Sequence, residues 1–336
     1  MWPIHGQDHL LRQLEPALTQ GRLAHAYLLA GPPHVGKMAL ALALAQAVNC
    51  LAGLGAPCGS CTQCRRIALG QHADVRVVGV GQGQDGGPTR TVIGIGDVRE
   101  ALRQASLKPY EGKCTVIIFD GAEAMSAEAA NALLKTLEEP PPQVLLLLLT
   151  TDADSLLPTI RSRCRSLDLR PLAKHQVAAA LAARPQTSPE QAERLARLSR
   201  GCLGWAFNAL TDPDYLEQRE AELEQVRQIC QAGLEGRFSY AADLAARFSR
   251  DREPARATLY LWLRWWRDLL LVKEGVEAYV QDQERLSELR LQAAQLTTPQ
   301  VVEFIKALYQ SLDALERNAS PRLAMEVLML KVPAGG

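Results

Sequence analysis

Residues 25–38 read HAYLLAGPPHVGKM. A short apolar run stops at Gly31-Pro32-Pro33, and an Ala/Leu-rich stretch runs from Lys37 to about Asn49. This order predicts strand, loop and helix. Gly31, Gly36 and Lys37 complete the pattern G-x-x-x-x-G-K in that context. Glycines let backbone N–H groups curl around phosphates, and the lysine reaches the terminal ones. The candidate nucleotide loop is therefore Gly31, Pro32, Pro33, His34, Val35, Gly36, Lys37 and Met38. The pattern asks for Ser or Thr after the lysine, to ligate Mg²⁺. Met38 supplies a soft thioether instead, a poor ligand for a hard cation.

Further along, residues 74–78 alternate like a strand, and 79–96 read as a glycine-rich exposed loop. Asp97 is placed to cap a helix running to about Leu107, with Glu100 completing a capping box. Residues 114–120 and 144–150 read as buried strands. Between them Ser126 caps a helix that the prolines at 140–142 end, and 152–162 reads as a turn and short helix. Unbroken apolar strands alternating with helices indicate a parallel sheet covered on both faces. Asp120 ends one of these strands, where an acidic metal partner would join the nucleotide site. In many such ATPases a glutamate follows the aspartate and polarises the attacking water; here Gly121 follows. From about Leu172 only helical periodicity remains, and Thr211-Asp212-Pro213-Asp214 is a clear break. The expected division is an α/β P-loop module at 1–170, a small helical lid at 171–211 and a larger helical domain at 212–336. In the last of these, Trp262, Trp265 and Trp266 share one broad helix face, which reads as core or subunit contact and not as a base-stacking platform.

Of 336 residues, 37 are Lys or Arg and 37 Asp or Glu, so the formal charge is zero. That argues against coating nucleic acid by bulk charge. The apolar run Val144–Leu149, like every other in the chain, is far short of a membrane span, and no secretory signal is apparent, so a cytoplasmic protein is expected. Four of the eight cysteines, Cys50, Cys58, Cys61 and Cys64, are spaced C-x7-C-x2-C-x2-C. A tight cluster without a secretory signal reads as a closed structural Zn²⁺ site within an insert at about 50–64.

Several stretches together carry a family resemblance. They are HAYLLAGPPHVGK, the cysteine insert, IGDVREALRQASLKPYEGKCTVIIFDGAEAMS at 95–126, NALLKTLEEPP at 131–141 and TTDADSLLPTIRSRC at 150–164. The chain resembles the clamp-loader subunits of bacterial DNA polymerase III, in the AAA+ superfamily, over about residues 4–211, and NASPRLAMEVLMLKV at 318–332 is similar to the family's last collar helix. The resemblance implies a helical lid and a helical collar for oligomerisation after the α/β module. It implies a hetero-oligomer with gamma/tau motor and delta subunits, acting indirectly on the sliding clamp and primed DNA within a DNA-directed DNA polymerase holoenzyme. Ser162-Arg163-Cys164 matches the family's SRC motif, whose arginine reaches a neighbour's phosphates, and Thr150 ends a strand where the family places its sensor hydroxyl at the nucleotide site. Met38, Gly121, Gly204 in place of a lid arginine, and the lack of a long polar extension after the collar helix favour the delta-prime type over the motor type. ATP or ADP would then be held weakly or without hydrolysis. The alternatives are an active gamma/tau-type motor with unorthodox metal ligation, and a zinc-stabilised DNA-binding adaptor.

Overall fold

Strand segments of five to seven residues that are apolar at every position can be buried on both faces only inside a sheet with helices on either side. The computed structural model describes residues 2–53, 55–80, 91–317 and 319–333, and the chain divides into two units between Phe207 and Asn208. In the first unit β1 (Ala26–Ala30), β2 (Val75–Gly79), β3 (Thr115–Asp120), β4 (Val144–Thr150) and β5 (Arg165–Asp168) form one parallel sheet in the order β2-β3-β4-β1-β5. Successive side chains on a strand point to opposite faces. Leu145, Leu147 and Leu149 of β4 accordingly meet one core, with α1 (Asp8–Thr19) and α2 (Lys37–Asn49). Leu146 and Leu148 meet the other, with α4 (Ile95–Ala105), α5 (Ala127–Glu138) and α6 (Pro158–Arg161). The α/β module with a parallel sheet covered on both faces, expected from the sequence, is present.

Three elements are not legible in the sequence pattern. The helix α1 is amphipathic with a proline at position 16, β5 is a short edge strand, and α3 (Thr62–Ala68) grows out of the cysteine insert. One expectation is corrected. The helix α4 begins at Ile95, so Asp97 lies inside its first turn, and its Oδ2 accepts from Gly94 N at 3.0 Å. Glu100 does not complete a capping box; it pairs with Arg103 and Arg76. The glycine-rich loop expected at 79–96 falls mostly on residues 81–90, outside the described residues. Three helices follow the sheet: α7 (Lys174–Ala182), α8 (Pro189–Leu198) and α9 (Leu203–Thr211).

The second unit consists of α10 (Pro213–Gln231), α11 (Leu234–Arg250), α12 (Arg252–Lys273), α13 (Leu286–Gln295), α14 (Thr298–Glu316) and α15 (Pro321–Leu330), with two short 3₁₀ turns between α12 and α13. Asp212 caps α10 through Asp214 N at 3.1 Å, and Pro213 takes the first helical position, where a missing N–H costs nothing. Trp262 and Trp266 are fully buried and Trp265 nearly so. The Trp262 and Trp266 rings pack with Tyr240 and Phe304 at centroid distances of 4.5–5.9 Å. These tryptophans are core, which removes them as a base-stacking surface. Arg237 is buried too, and its guanidinium donates to Cys230 O at 3.1 Å and Val332 O at 2.6 Å. It thereby ties the ends of α10 and α15, whose last carbonyls lack partners within their own helices.

Truncating Arg237 to Ala leaves both carbonyls and a cavity behind, at a cost of about 2–4 kcal/mol. Hydrogen exchange should speed up across α15 and leave β3 and β4 unchanged; unaltered protection of α15 would show that the tie contributes little.

Candidate functional site

The loop between β1 and α2 has the shape the glycine pattern demands, but it is closed by its own chain. Lys37 Nζ donates to Gly31 O at 2.6 Å and Pro32 O at 2.9 Å, so the ammonium is folded onto the loop. His34 adopts a left-handed backbone (φ 60°) that turns its carbonyl outward, and Gly204 N at the start of α9 donates to it at 2.9 Å. A Cβ at residue 204 would sit 2.8 Å from His34 O. Gly204 therefore does more than omit an arginine: it permits α9 to lie against the loop. Met38, on the first turn of α2, packs its half-buried side chain against the core of the sheet. A residue recruited to packing is not available to a cation.

At the end of β3, Asp120 is exposed, yet enough protein surrounds its carboxylate to push the pKa above the ordinary range, with Lys37 opposing the shift and Glu123 adding to it. The chain then turns through Gly121 at φ 76°, a left-handed conformation that a side chain makes costly. Glu123 is engaged by the chain after β4: its Oε1 accepts from Thr151 N at 3.0 Å and Thr151 Oγ1 at 2.6 Å. Thr150 is buried, and its hydroxyl closes the turn after β4, donating to Asp152 O at 2.8 Å and accepting from Asp152 N at 3.1 Å. Gly31 N also donates to Thr150 O at 3.2 Å. The fold thus brings the loop, Asp120 and Thr150 to one edge of the sheet, with the lysine and the threonine hydroxyl engaged locally.

The sulfurs of Cys50, Cys58, Cys61 and Cys64 all lie within 4.8 Å of one another. A tetrahedral ion with bonds of about 2.3 Å places its sulfurs about 3.8 Å apart, and Cys58 and Cys64 are 4.0 Å apart. Backbone N–H groups aim at the sulfurs, Cys61 N on Cys58 Sγ at 3.3 Å and Cys64 N on Cys61 Sγ at 3.5 Å. Hydrogen bonds from the Cys61 and Ser60 backbones bring the Cys58 thiol down to about 6, whereas burial pushes the Cys64 thiol up to about 12. The four donors fit a metal ion, whose charge would hold the buried thiolate as well.

Sequence reading missed the anchor of this insert. Asn49 Oδ1 accepts from Lys113 N at 2.8 Å and Cys114 N at 3.0 Å, and Lys113 Nζ donates to Cys50 O at 2.5 Å. Asp74, nearly buried, accepts from the N–H groups of Tyr110, Glu111 and Gly112 at 2.7–2.9 Å. Burial raises its pKa, but those three donors outweigh the effect and hold it below the usual carboxylate range. Asn and Asp at the ends of elements read as ordinary caps in sequence; only their long-range partners reveal the role.

The remaining candidate stands on α6 and just after it. Arg163 Nη1 donates to Thr159 O at 2.9 Å and Ser162 Oγ at 3.3 Å, and Nη2 pairs with Glu138 Oε1 at 2.7 Å. The Arg163 side chain retains 35% exposure and that of Glu138 52%. A pair this exposed is worth only about 0–1 kcal/mol. Ser162 Oγ donates back to Thr159 O, Arg161 is tied to Asp154 and Ala153 O, and Cys164 packs against the core with its thiol pushed up to about 11 by burial.

Residues 6–173, half of the chain, match the family described as DNA polymerase III, delta subunit. The chain is 29% identical over 329 residues to the DNA polymerase III subunit delta' of Bacillus subtilis, covering 98% of this chain and 97% of that protein. It is 38% identical over 175 residues to the DNA polymerase III subunit tau of Escherichia coli, but this spans only 52% of the chain and 26% of that protein. A solved gamma subunit-related protein from Thermotoga maritima superposes with a TM-score of 0.43 at 17% identity, over 96% of this chain and 98% of that one.

Two outcomes follow from this geometry. Met38→Thr should give no ATP turnover by the isolated chain, because Gly121 and Gly204 still shape the loop; turnover in that single variant would show that metal ligation alone was missing. Protons compete with metal for thiolates, and all four cysteines are required as thiolates. Metal content, about one ion per chain at neutral pH, should therefore fall as the pH drops, and replacing Cys61 and Cys64 by Ser should abolish it at every pH.

Proposed function

The chain belongs to the DNA polymerase III delta-subunit family, in its delta-prime type, and from that premise we propose a clamp-loader subunit that donates catalysis and does not host it. Arg163 is the donor. The observation that carries this reading is its contrast with the nucleotide loop. The arginine stands half-exposed on a weak surface ion pair, while the chain's own loop is occupied by Lys37, Gly204 and the packing of Met38. A fixed guanidinium fork placed on developing phosphoryl charge is worth about 10³–10⁵ in rate in well-studied GTPases. Ser162 supports the fork, and Cys164 seats the turn in the core.

Residues 171–211 act as a lid held against the loop by Gly204, and 212–336 form the collar. The stripe Leu323, Val327 and Leu330 on α15, between 43% and 62% exposed, supports a subunit contact there. The partners on this reading are gamma/tau and delta subunits, with the sliding clamp and primed DNA reached through the complex. The cysteine cluster holds one structural Zn²⁺, which organises the insert and carries no open coordination position. Among the described residues no helix is long and apolar enough to cross a membrane.

The motor alternative draws on the tau relatives, of which the E. coli protein matches 52% of the chain at 38% identity and the Bacillus subtilis protein 98% of the chain at 28% identity. Gly121 and Gly204 weigh against it, since both occupy backbone positions that resist the side chains a motor would carry.

Arg163→Ala, assembled into the complete complex with the adjoining motor as its only hydrolysing subunit, should lower ATP turnover about 10³-fold with the melting temperature of the chain unchanged. Full turnover in that complex would remove the finger reading.

A further inference from the structure

A guanidinium offers two forks: the end-on pair of Nη1 and Nη2, and the side-on pair of Nε and Nη2. In this chain the end-on pair is taken. Thr159 O and Ser162 Oγ hold Nη1, and the Glu138 carboxylate holds Nη2. Among the described residues no contact is made to Nε. Each terminal nitrogen carries two N–H bonds, so Nε and the second N–H of Nη2 remain to meet a phosphate.

Glu138 is the last residue of α5, ahead of Glu139 and the prolines that stop the helix. A carboxylate at a helix C-terminus meets the negative end of the macrodipole and is locally unfavourable. Its side chain is half-exposed and buries little apolar surface. Neither helix stability nor packing accounts for it. The contact it does make is with Arg163, reached across 25 positions of sequence from another element of the sheet's face.

We propose that Glu138 is a positioning residue for Arg163. It holds Nη2 while Thr159 O holds Nη1, so that the guanidinium plane is set before a neighbour's nucleotide arrives. This rests on the reading that Arg163 acts on that nucleotide. Without Glu138 the arginine keeps its Nη1 contacts but swings about them, and the fork spends less time in the orientation that reaction requires.

The test uses the assembled complex with the adjoining motor as its only hydrolysing subunit, and the variants Glu138→Ala, Glu138→Gln, Arg163→Ala and the double Glu138→Ala/Arg163→Ala. Glu138→Ala should lower kcat about three- to tenfold with little change in KM for ATP. Glu138→Gln, which keeps an oxygen acceptor for Nη2, should recover most of that loss. The double variant should match Arg163→Ala alone, since a positioning residue has nothing to position once the arginine is gone. If Glu138→Ala equals the wild type while Arg163→Ala loses turnover, the positioning role is overturned and the finger stands. If Glu138→Ala is just as damaging in the Arg163→Ala background, it acts on the fold or the interface, and the proposal is overturned. Full turnover with Arg163→Ala overturns both readings together.

Discussion

Parallel strands must all be re-entered from the same end, so their carboxyl ends gather along one edge of the sheet. In this chain that edge is defined within a rung or two. Ala30 pairs with Thr150 on one side and Asp168 on the other, and Asp120 pairs with Leu149. The nucleotide loop leaves β1 there, Asp120 ends β3 there and Thr150 ends β4 there. The register depends on alternating burial of β4, whose leucines supply both cores; a slip of one residue would exchange the two faces.

Given that edge, the state of the nucleotide site is decided by neighbours more than by its own motif. The loop keeps its glycines and its lysine, yet Gly31 N is bound to Thr150 O and Lys37 Nζ to Gly31 O and Pro32 O. Gly204 brings α9 against His34 O, Thr150 spends its hydroxyl on Asp152, and Glu123 is committed to Thr151. Each contact is an ordinary hydrogen bond. Each element at this edge is thus held by neighbours in the fold, while Arg163 keeps a weak, half-exposed ion pair with Glu138.

The cysteine insert depends on the same sheet. Asn49 at the end of α2 and Asp74 before β2 together bind one loop, residues 110–114. That loop leads directly into β3. Metal-site geometry, loop and strand are therefore linked through backbone N–H groups that would otherwise be buried without acceptors. The exposed and buried thiols differ widely in acidity because one accepts backbone hydrogen bonds in solvent and the other is sequestered.

By itself the sequence determined the elements with a local cause. Apolar runs bounded by Gly and Pro marked β1, β3 and β4, Ser126 and Asp212 marked helix starts, and the cysteine spacing marked the metal cluster. These signals act over a few residues, which is the range in which propensity, capping and chelation operate. It did not disclose β5, whose four residues become a strand only by pairing with β1, or the true start of α4, where a glycine precedes the helix and Asp97 reaches back to it. Nor did it disclose that Glu138 faces Arg163, that Gly204 faces His34, or that Asp74 holds residues 110–112. Those pairs are separated by 25 to 170 positions, and no local rule reaches so far. Only burial of the two apolar faces, which folds the chain into one sheet, brings them within hydrogen-bonding distance.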